Sequence, residues 1–374
     1  MEGIKMRVLF VIDSMPCHRY LKEAQSISGL GIELYMCYRE RGSIIARNAD
    51  LTIFEDIFKL RKRELFAGRK IAEYAKSNNI DIIHYHNYPD KLCYQIMRSK
   101  TKLPIIYDQH DLMSLQRSNF SRKKKYWEKF CLEQANALIF VTEYYRQRSF
   151  ELYNLNQPHV ILPNMIARDV AAESIPELQK LSEQDGKIHL VWVGLITKRE
   201  EHHRYMLKTF KILSEKGFVI HIYPTRSKEY PQYSKIPNLQ IHQQLSYREM
   251  MKAITVYDAG LAFFNPWMPD EAKSSLVKHA FPNKINDYIF AGVPPITLSS
   301  YKPMAAYLKK YKTGYIFDSV DAIIPSTIKE QLTNCQANIK VNRANILTDI
   351  EQQLGKVIEL YQDLKEKVDE TAKS

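Results

Sequence analysis

One pattern recurs along most of the chain: a short apolar run bounded by turn residues, followed by a stretch whose apolar side chains have helical spacing. Continuous apolar runs are typical of strands that are buried on both faces of a parallel sheet. Strands that alternate with helices predict α/β units joined by crossover helices. The first half of the chain has six such runs, which begin at residues 6, 32, 81, 103, 137 and 159.

A polar, weakly periodic segment at 165–186 interrupts the pattern, which restarts at 188–194 and continues to 314–319. We interpret this segment as a linker between two Rossmann-like, doubly wound parallel-sheet domains. The predicted bounds are 1–168 for the first domain, 169–345 for the second, and 346–374 for a C-terminal helix that packs back on the first. Ligands are expected at the carboxyl ends of the two sheets, where these face each other.

Charge and composition limit where the protein acts and what it binds. The net charge of +12 over 374 residues predicts an anionic partner, such as nucleic acid, an acidic membrane face or a phosphorylated substrate. No apolar run reaches the roughly 18 residues that a spanning helix needs, and the N-terminus does not resemble a signal peptide. We therefore expect a cytoplasmic protein. The five scattered cysteines form no CxxC pair, and we predict no metal site and no cofactor.

The stretch FPNKINDYIFAGVPPITLSS, residues 281–300, carries charged residues at the start of a predicted short helix. Asn283 suits the N-cap, Gly292 suits the left-handed position after the helix, and the prolines that follow stop it. Lys284 beside a helix N-terminus is suited to bind a phosphate, and Asp287 could accept hydrogen bonds from the two hydroxyls of a ribose. In the alternative interpretation, Lys284 and Asp287 form an ordinary i,i+3 ion pair on a surface helix.

Several segments resemble motifs of the retaining GT-B glycosyltransferases of family 4, and they occur in that family's order. PNKINDYIFAGVPPI resembles the family's PNKlfEYmaaGvPvi segment, LPIIYDQHDL its iPvVydvHDl, ALIFVTE its advvitvSe, HVILPNMI its vvlPNgv, and IHLVWVG its lvyvGrl. DIIHYHN resembles its DvvHaHn strand end. The similarity covers roughly residues 6–300 and implies a GT-B fold, with two Rossmann-like domains that face each other across a cleft.

The resemblance also implies roles for single residues. Asp287 matches the acid that binds the nucleotide ribose, and Asn283 and Lys284 match the part of the segment that meets the donor diphosphate or sugar. Gly194 matches the vG glycine at the donor. His110 matches the histidine at the junction of donor sugar and acceptor. The basic residues after the vG strand neutralise the leaving diphosphate in the family, and the candidates here are Lys198, Arg199 and Arg204.

Three departures from the family pattern concern the sugar and the acceptor. The first acid of the family's Glu-x7-Glu pair is replaced by His279, which could bind a sugar hydroxyl. The arginine that often follows the vG glycine is Leu195 here. The glycine-rich N-terminal loop is absent, and Arg19 is the candidate to serve in its place. Glu143, after the IFVT strand, is expected to face the cleft, and His84 and His86 are interpreted as structural.

The resemblance implies transfer of a sugar from a UDP- or GDP-sugar to a lipid-linked or polysaccharide acceptor in cell-surface glycan biosynthesis, with retention and without a metal. Two alternatives stay open. The first is a non-catalytic nucleotide-sugar or polyanion-binding protein of the same fold. The second is a non-hydrolysing nucleotide-sugar epimerase, which would need paired acids that we do not identify.

Two basic clusters in the first half of the chain predict binding to a membrane. Residues 115–130 carry six Lys or Arg with aromatic residues between them, and residues 59–70 form a second cluster. Cations that meet anionic lipid, with rings at headgroup depth, are typical of an interfacial segment. We expect peripheral attachment at the inner face of the cell membrane, although both runs could also be solvated helix faces. No nucleic-acid-binding motif is present, and nucleic acid is not an expected partner.

Overall fold

The chain divides into two compact units in a computed structural model, one formed by Met1–Arg168 with Ile350–Ser374 and the other by Asp169–Asp349. The structure describes residues 6–41, 51–99, 101–116, 120–173, 178–224 and 230–373. Arg117, which belongs to the predicted basic segment, and residues 174–177 of the predicted linker lie outside these ranges.

Seven parallel strands form the sheet of the first unit, in the order β3-β2-β1-β4-β5-β6-β7. They are β1 (Met6–Ile12), β2 (Ile32–Arg39), β3 (Phe54–Leu60), β4 (Ile82–His86), β5 (Ile105–Gln109), β6 (Ala137–Phe140) and β7 (His159–Ile161). The strand order changes direction between β1 and β4. The carboxyl ends of these two strands therefore flank the crevice where doubly wound sheets bind ligands.

Helices cover both faces of this first sheet. They are α1 (His18–Ser28), α2 (Ala67–Ser77), α3 (Lys91–Met97), α4 (Met113–Gln116), α5 (Arg122–Gln134) and α6 (Glu143–Leu152). On one face α1 packs together with the end of the C-terminal helix α14 (Pro325–Lys373), and on the other face α2, α3 and α5 pack. Gly68 of α2 allows close approach, because an added Cβ would lie 2.3 Å from the backbone of Gln95.

Six parallel strands form the sheet of the second unit, in the order β10-β9-β8-β11-β12-β13, and the order changes direction between β8 and β11. They are β8 (His189–Val193), β9 (Val219–Tyr223), β10 (Leu239–Ile241), β11 (Ala259–Leu261), β12 (Pro295–Leu298) and β13 (Tyr315–Phe317). The remaining helices are α7 (Arg168–Ala172), α8 (Ser182–Asp185), α9 (Leu207–Glu215), α10 (Tyr247–Ala253), α11 (Glu271–Lys278), α12 (Lys284–Phe290) and α13 (Lys302–Tyr311).

The predicted α/β architecture with two parallel sheets is confirmed, and two elements differ from the sequence prediction. Strand β3 was not predicted, and helix α14 begins at Pro325, well before the predicted start at residue 346. In the described part of the chain, no helix combines the length and the apolar character needed to cross a membrane.

Candidate functional site

Helix α12 is held against the carboxyl end of β8 by Tyr288. The Tyr288 hydroxyl accepts a hydrogen bond from the Val193 amide at 2.9 Å and donates one to the Val191 carbonyl at 3.3 Å. The ring covers Gly260 of β11, where an added Cβ would lie 2.4 Å away. The first residue of α12 is thereby fixed beside the loop that begins at Gly194.

Lys284, the first residue of α12, is a buried amine. The residue is only 8% exposed, and its Nζ lies 3.0 Å from the centre of the Trp192 ring and 5.6 Å from that of Phe264. Nζ has no hydrogen-bond partner among the described residues. Burial and, secondarily, the charge of Arg204 hold the pKa of Lys284 well below its ordinary value, and the charge of Asp287 only partly opposes them. The ammonium form therefore has no hydrogen-bond partner among the described residues, and Asp287 offsets the effect of burial only in part.

Two other buried polar atoms near Lys284 also lack a hydrogen-bond partner within the described ranges: Nε1 of Trp192 and Oδ1 of Asn283. Gly194 has a φ of 135°, which favours glycine, and a Cβ there would lie 3.9 Å from both Lys284 Nζ and Trp192 Nε1. The amine of Lys284 and the indole N–H of Trp192 thus flank the same glycine. Two unsatisfied donors beside the same half-buried glycine are suited to bind an anion.

The expected capping role of Asn283 is wrong in one respect. The residue precedes α12, but its own backbone is already helical, with φ −52° and ψ −38°, and its side chain makes no capping hydrogen bond. The side-chain oxygen is therefore not used by the helix.

Asp287 lies one turn into α12 and is also buried. Its Oδ1 accepts a hydrogen bond from the Tyr247 hydroxyl at 2.7 Å. Burial first, and the charge of Asp287 second, raise the pKa of Tyr247 well above its ordinary value, so this hydroxyl stays a donor. The alternative interpretation of Lys284 and Asp287 as a surface ion pair is wrong, because both residues are buried and their contacts are with other side chains.

Of the three candidate cations after β8, the structure brings Arg204 to Lys284. Arg204 is half-buried, its Nε donates to His203 Nε2 at 3.0 Å, and its charge acts on the pKa of Lys284. Lys198 and Arg199 are exposed. His279 follows α11, and its Nδ1–H donates to the Ser275 carbonyl at 2.7 Å. One ring nitrogen of His279 is thus hydrogen-bonded to the last turn of α11, the helix that it follows.

The first unit has a separate polar site at the carboxyl ends of β4 and β5. His110 follows β5, and its Nε2 lies 3.0 Å from Asp108 Oδ2, while its amide donates to Asn87 Oδ1 at 2.8 Å. Burial lowers the pKa of His110, but the charge and hydrogen bond of Asp108, together with a hydrogen bond to Cys17, raise it to about 10. His110 is therefore an imidazolium at neutral pH.

Arg19 and Glu143 are used by contacts within the first unit. The buried Arg19 donates to both oxygens of Asp108 at 3.1 to 3.2 Å and to the Leu162 carbonyl at 3.0 Å. The guanidinium therefore holds a buried carboxylate in place. Glu143, at the start of α6, is exposed and accepts from Arg146 Nε at 2.9 Å; this hydrogen bond lowers the pKa of Glu143. The side chains of Arg19 and Glu143 are thus both engaged by neighbours within the first unit.

Sequence reasoning missed Trp192 and Tyr247. Trp192 lies two residues before Gly194, so the two share one side of the chain at the end of β8. An aromatic residue in this position is a weak signal, because buried strands commonly contain one. Tyr247 is 40 residues from Asp287 in sequence, and only the folded structure brings them together.

Comparison with known proteins agrees with this architecture. Residues 21–170 match the family model described as Glycosyltransferase Family 4. A glycosyltransferase from Rickettsia africae has a similar structure, with a TM-score of 0.66, 14% identity, and coverage of 96% of this chain and 98% of that one. No curated protein sequence matches the chain.

Two other solved structures give similar values. HepE from Anabaena, in complex with UDP-glucose, matches with a TM-score of 0.64 and 13% identity over 98% of this chain and 99% of that one. A sucrose-phosphate synthase from Thermosynechococcus elongatus matches with a TM-score of 0.62 and 12% identity over 96% and 99%. The chain therefore has the two-domain GT-B fold of these glycosyltransferases, and its residues 21–170 match the glycosyltransferase family model.

Proposed function

We propose that the protein transfers a sugar from a UDP- or GDP-sugar to a lipid-linked or polysaccharide acceptor in cell-surface glycan biosynthesis. The observation that carries this proposal is the buried Lys284, whose amine has no hydrogen-bond partner among the described residues and faces Gly194 beside an unsatisfied indole N–H. A buried cation is costly unless it is paired. The diphosphate of a nucleotide sugar supplies the missing negative charge.

The remaining side chains of the second unit fit the rest of the nucleotide. Asp287, oriented by Tyr247, accepts hydrogen bonds from the ribose hydroxyls. Arg204 adds a second positive charge near Lys284. During transfer the diphosphate gains negative charge as it leaves, and fixed cations stabilise that charge without having to reorganise. In this proposal Lys284 and Arg204 neutralise the leaving group, and the transfer step itself is retaining and metal-independent.

His110 has a different part in the same proposal. An imidazolium held by Asp108 is a hydrogen-bond donor suited to a hydroxyl of the donor sugar or the acceptor. The solved structure of HepE with UDP-glucose supports a nucleotide-sugar ligand for this fold. The HepE structure supports nucleotide-sugar binding at the level of the fold, and the contacts of Lys284 support it for this chain.

A thermal-shift panel of nucleotides and nucleotide sugars tests the proposal. We expect UDP or GDP to raise the Tm of the wild type, and the preferred base to identify the donor. Asp287→Ala should lose most of this shift, whereas Asp321→Ala, an exposed aspartate of the same unit, should keep it. If no nucleoside diphosphate stabilises the wild type, the proposed function is wrong.

We also propose that the first unit attaches to the cytoplasmic, inner face of the cell membrane. The loop between β3 and α2 exposes two adjacent apolar side chains, Leu65 (73%) and Phe66 (76%), between the exposed cations Arg61–Arg63 and Arg69–Lys70. Apolar side chains surrounded by cations are suited to the interface of an anionic bilayer.

The basic cluster at 115–130, which lies mainly on α5, contributes mainly charge. Of its aromatic residues Tyr126 is 52% exposed, whereas Phe120 is buried and Trp127 lies within 5.4 Å of Lys123 Nζ. The expectation that all these rings reach headgroup depth is therefore wrong. Because α2, α3 and α5 pack on the same face of the sheet, both basic clusters belong to one side of the first unit.

Sedimentation with anionic phosphatidylglycerol vesicles tests the attachment. We expect the wild type to sediment, and both Leu65→Ser/Phe66→Ser and Lys123→Glu/Lys124→Glu/Lys125→Glu to stay mostly in the supernatant. The matched control Lys309→Glu/Lys329→Glu changes exposed lysines of the second unit and should sediment like the wild type. Equal sedimentation of all four proteins would refute the attachment.

A further inference from the structure

A cluster of unsatisfied ligand atoms lies inside the first unit, behind His110. His84 and His86 point to the same side of β4, and their rings stack with centroids 4.4 Å apart and an interplanar angle of 12°. Glu23 of α1 approaches them, with its Oε1 3.6 Å from His84 Nε2. One ligand atom from each of Glu23, His84, His86 and Asp108 lies within 4.8 Å of all the others.

The other ring nitrogens of the two histidines are already used. Nδ1 of His84 lies 2.6 Å from the Tyr361 hydroxyl, and Nδ1 of His86 lies 3.2 Å from Asp108 Oδ2. Metal-binding histidines commonly donate their second ring N–H to a carboxylate or another oxygen, which fixes the tautomer and turns the other nitrogen towards the ion. With Nδ1 protonated, both Nε2 atoms present lone pairs.

The converging atoms make no hydrogen bond in the part of the chain that the structure describes, and the nearest cation is the Arg19 guanidinium, 3.6 Å from Glu23 Oε2. Nε2 of His84, Nε2 of His86 and both carboxylate oxygens of Glu23 are completely buried and make no hydrogen bond. Four converging acceptor atoms without a partner are rare in a folded interior, because each costs free energy when it is left unsatisfied.

We propose that this cluster binds one divalent transition-metal ion, in the first place Zn²⁺, through Glu23, His84 and His86. Imidazole and carboxylate are ordinary ligands of Zn²⁺, with bond lengths of about 2.0 to 2.2 Å. Ligand atoms around a tetrahedral ion with such bonds are about 3.4 Å apart. The 3.6 Å between His84 Nε2 and Glu23 Oε1 is close to this value, and all ligand atoms of the cluster lie within 4.8 Å of one another.

Asp108 acts on the ion through His86 in this proposal. Arg19 already donates to both oxygens of Asp108, whereas neither oxygen of Glu23 accepts a hydrogen bond, so Glu23 is the carboxylate that we assign as a ligand. The ion would fix His86, and through Asp108 it would hold His110 at the edge of the site. Its role is structural positioning, and it is separate from the diphosphate proposed to bind in the second unit.

Metal analysis of the full-length protein tests the site. The protein is purified without a metal-affinity tag, and its metal content is measured by mass spectrometry. It is then stripped with a chelator and titrated with Co²⁺, whose visible absorption reports histidine and carboxylate coordination. We expect one equivalent of Zn²⁺ or a related ion in the purified protein and one equivalent of Co²⁺ bound with an absorption band. If the wild type takes up neither ion, the proposal is wrong, and buried water would be the partner of these atoms.

Two variants decide whether bound metal lies in this cluster. Glu23→Gln keeps the shape of the side chain and removes its charge, and we expect Co²⁺ affinity to fall by about tenfold or more. His159→Asn removes an exposed histidine of the same unit and should bind like the wild type. Equal affinity in all three proteins would place the metal elsewhere. Because this readout does not use nucleotides, its failure would not affect the nucleotide proposal.

Discussion

The two units both bury charge at the carboxyl ends of their sheets, but they balance it differently. In the first unit the cations Arg19 and His110 both contact the carboxylate of Asp108, at 3.0 to 3.2 Å. In the second unit the amine of Lys284 rests on an aromatic ring and makes no hydrogen bond to any described residue.

We interpret the difference as one between a charge that stabilises the fold and a group that is available to a ligand. A buried ion pair depends strongly on each partner, because removal of one leaves the other unpaired. A buried amine without a partner costs free energy in the unliganded protein and releases it when an anion binds. The first unit should therefore lose stability when its cation is removed, whereas the second should lose binding.

The largest expected effect is in the first unit, where the buried charges are paired. Arg19→Met leaves Asp108 buried without its guanidinium, and we expect the free energy of unfolding to fall by about 3 to 5 kcal/mol. Urea unfolding followed by circular dichroism measures the change. The control Arg69→Met removes an exposed i,i+4 pair with Glu73 and should change stability little. Similar losses in both variants would show that burial does not distinguish these pairs.

Lys284→Met should weaken ligand binding and should not reduce stability. It removes the charge but keeps an apolar side chain over Trp192, so the unliganded protein should be at least as stable as the wild type. Nucleoside diphosphate affinity should fall by about 10- to 100-fold, the range for a hydrogen bond to a charged group. Calorimetric titration measures both proteins. Lys208→Met, whose exposed amine lies 4.5 Å from the Trp267 ring centre, is the matched control and should bind normally.

The lowered pKa of Lys284 predicts how binding depends on pH. Burial favours the neutral amine of Lys284 in the free protein and a bound diphosphate favours its ammonium form, so binding raises the pKa of Lys284 and is coupled to proton uptake. The affinity for the diphosphate should therefore fall as the pH rises from the pKa of Lys284 in the free protein towards its higher pKa in the complex.

Titrations from about pH 7 upward, where a terminal phosphate is already largely ionised, isolate this effect. Repeating them in two buffers with different ionisation enthalpies counts the protons taken up. The slope should disappear in Lys284→Met. A slope that persists in this variant would assign the proton to another group.

The smallest expected effect concerns the support of Asp287. Tyr247→Phe removes the hydroxyl that donates to Oδ1 at 2.7 Å, and we expect nucleotide affinity to fall by about fivefold, or about 1 kcal/mol. The 2′-deoxy analogue of the preferred nucleotide should bind the variant and the wild type more nearly alike. If Tyr247→Phe still rejects the analogue as strongly as the wild type does, Tyr247 does not orient the ribose-binding acid.

The fold followed from the sequence where strands are buried on both faces. Strand β1 is a continuous apolar run, and it was predicted almost to the residue. Strand β3, FEDIFKL, is at the edge of its sheet and exposes charged residues, so it lacks the apolar continuity that identifies a central strand. The first half of α14 buries Ile328, Cys335 and Ile339 at helical spacing, but the many polar residues between them obscure this pattern in the sequence.

The candidate site was predictable in its local features and not in its burial. The left-handed Gly292 after α12 is confirmed, with a φ of 71°, because helix ends follow from neighbouring residues. The burial of Lys284 could not be predicted, because it depends on Trp192, 92 positions earlier in the chain. A charged residue on a short helix is usually solvated, and only tertiary packing overrides that expectation.

The most direct test of the account measures what the phosphates contribute to binding. For the base selected by the nucleotide panel, the nucleoside and its mono- and diphosphate are titrated into wild type, Lys284→Met and Lys208→Met. We predict that affinity for the wild type and for Lys208→Met increases steeply with each phosphate, and that this increase is largely lost in Lys284→Met. Equal phosphate increments in all three proteins would contradict the assignment of Lys284 as the buried partner of a nucleotide diphosphate.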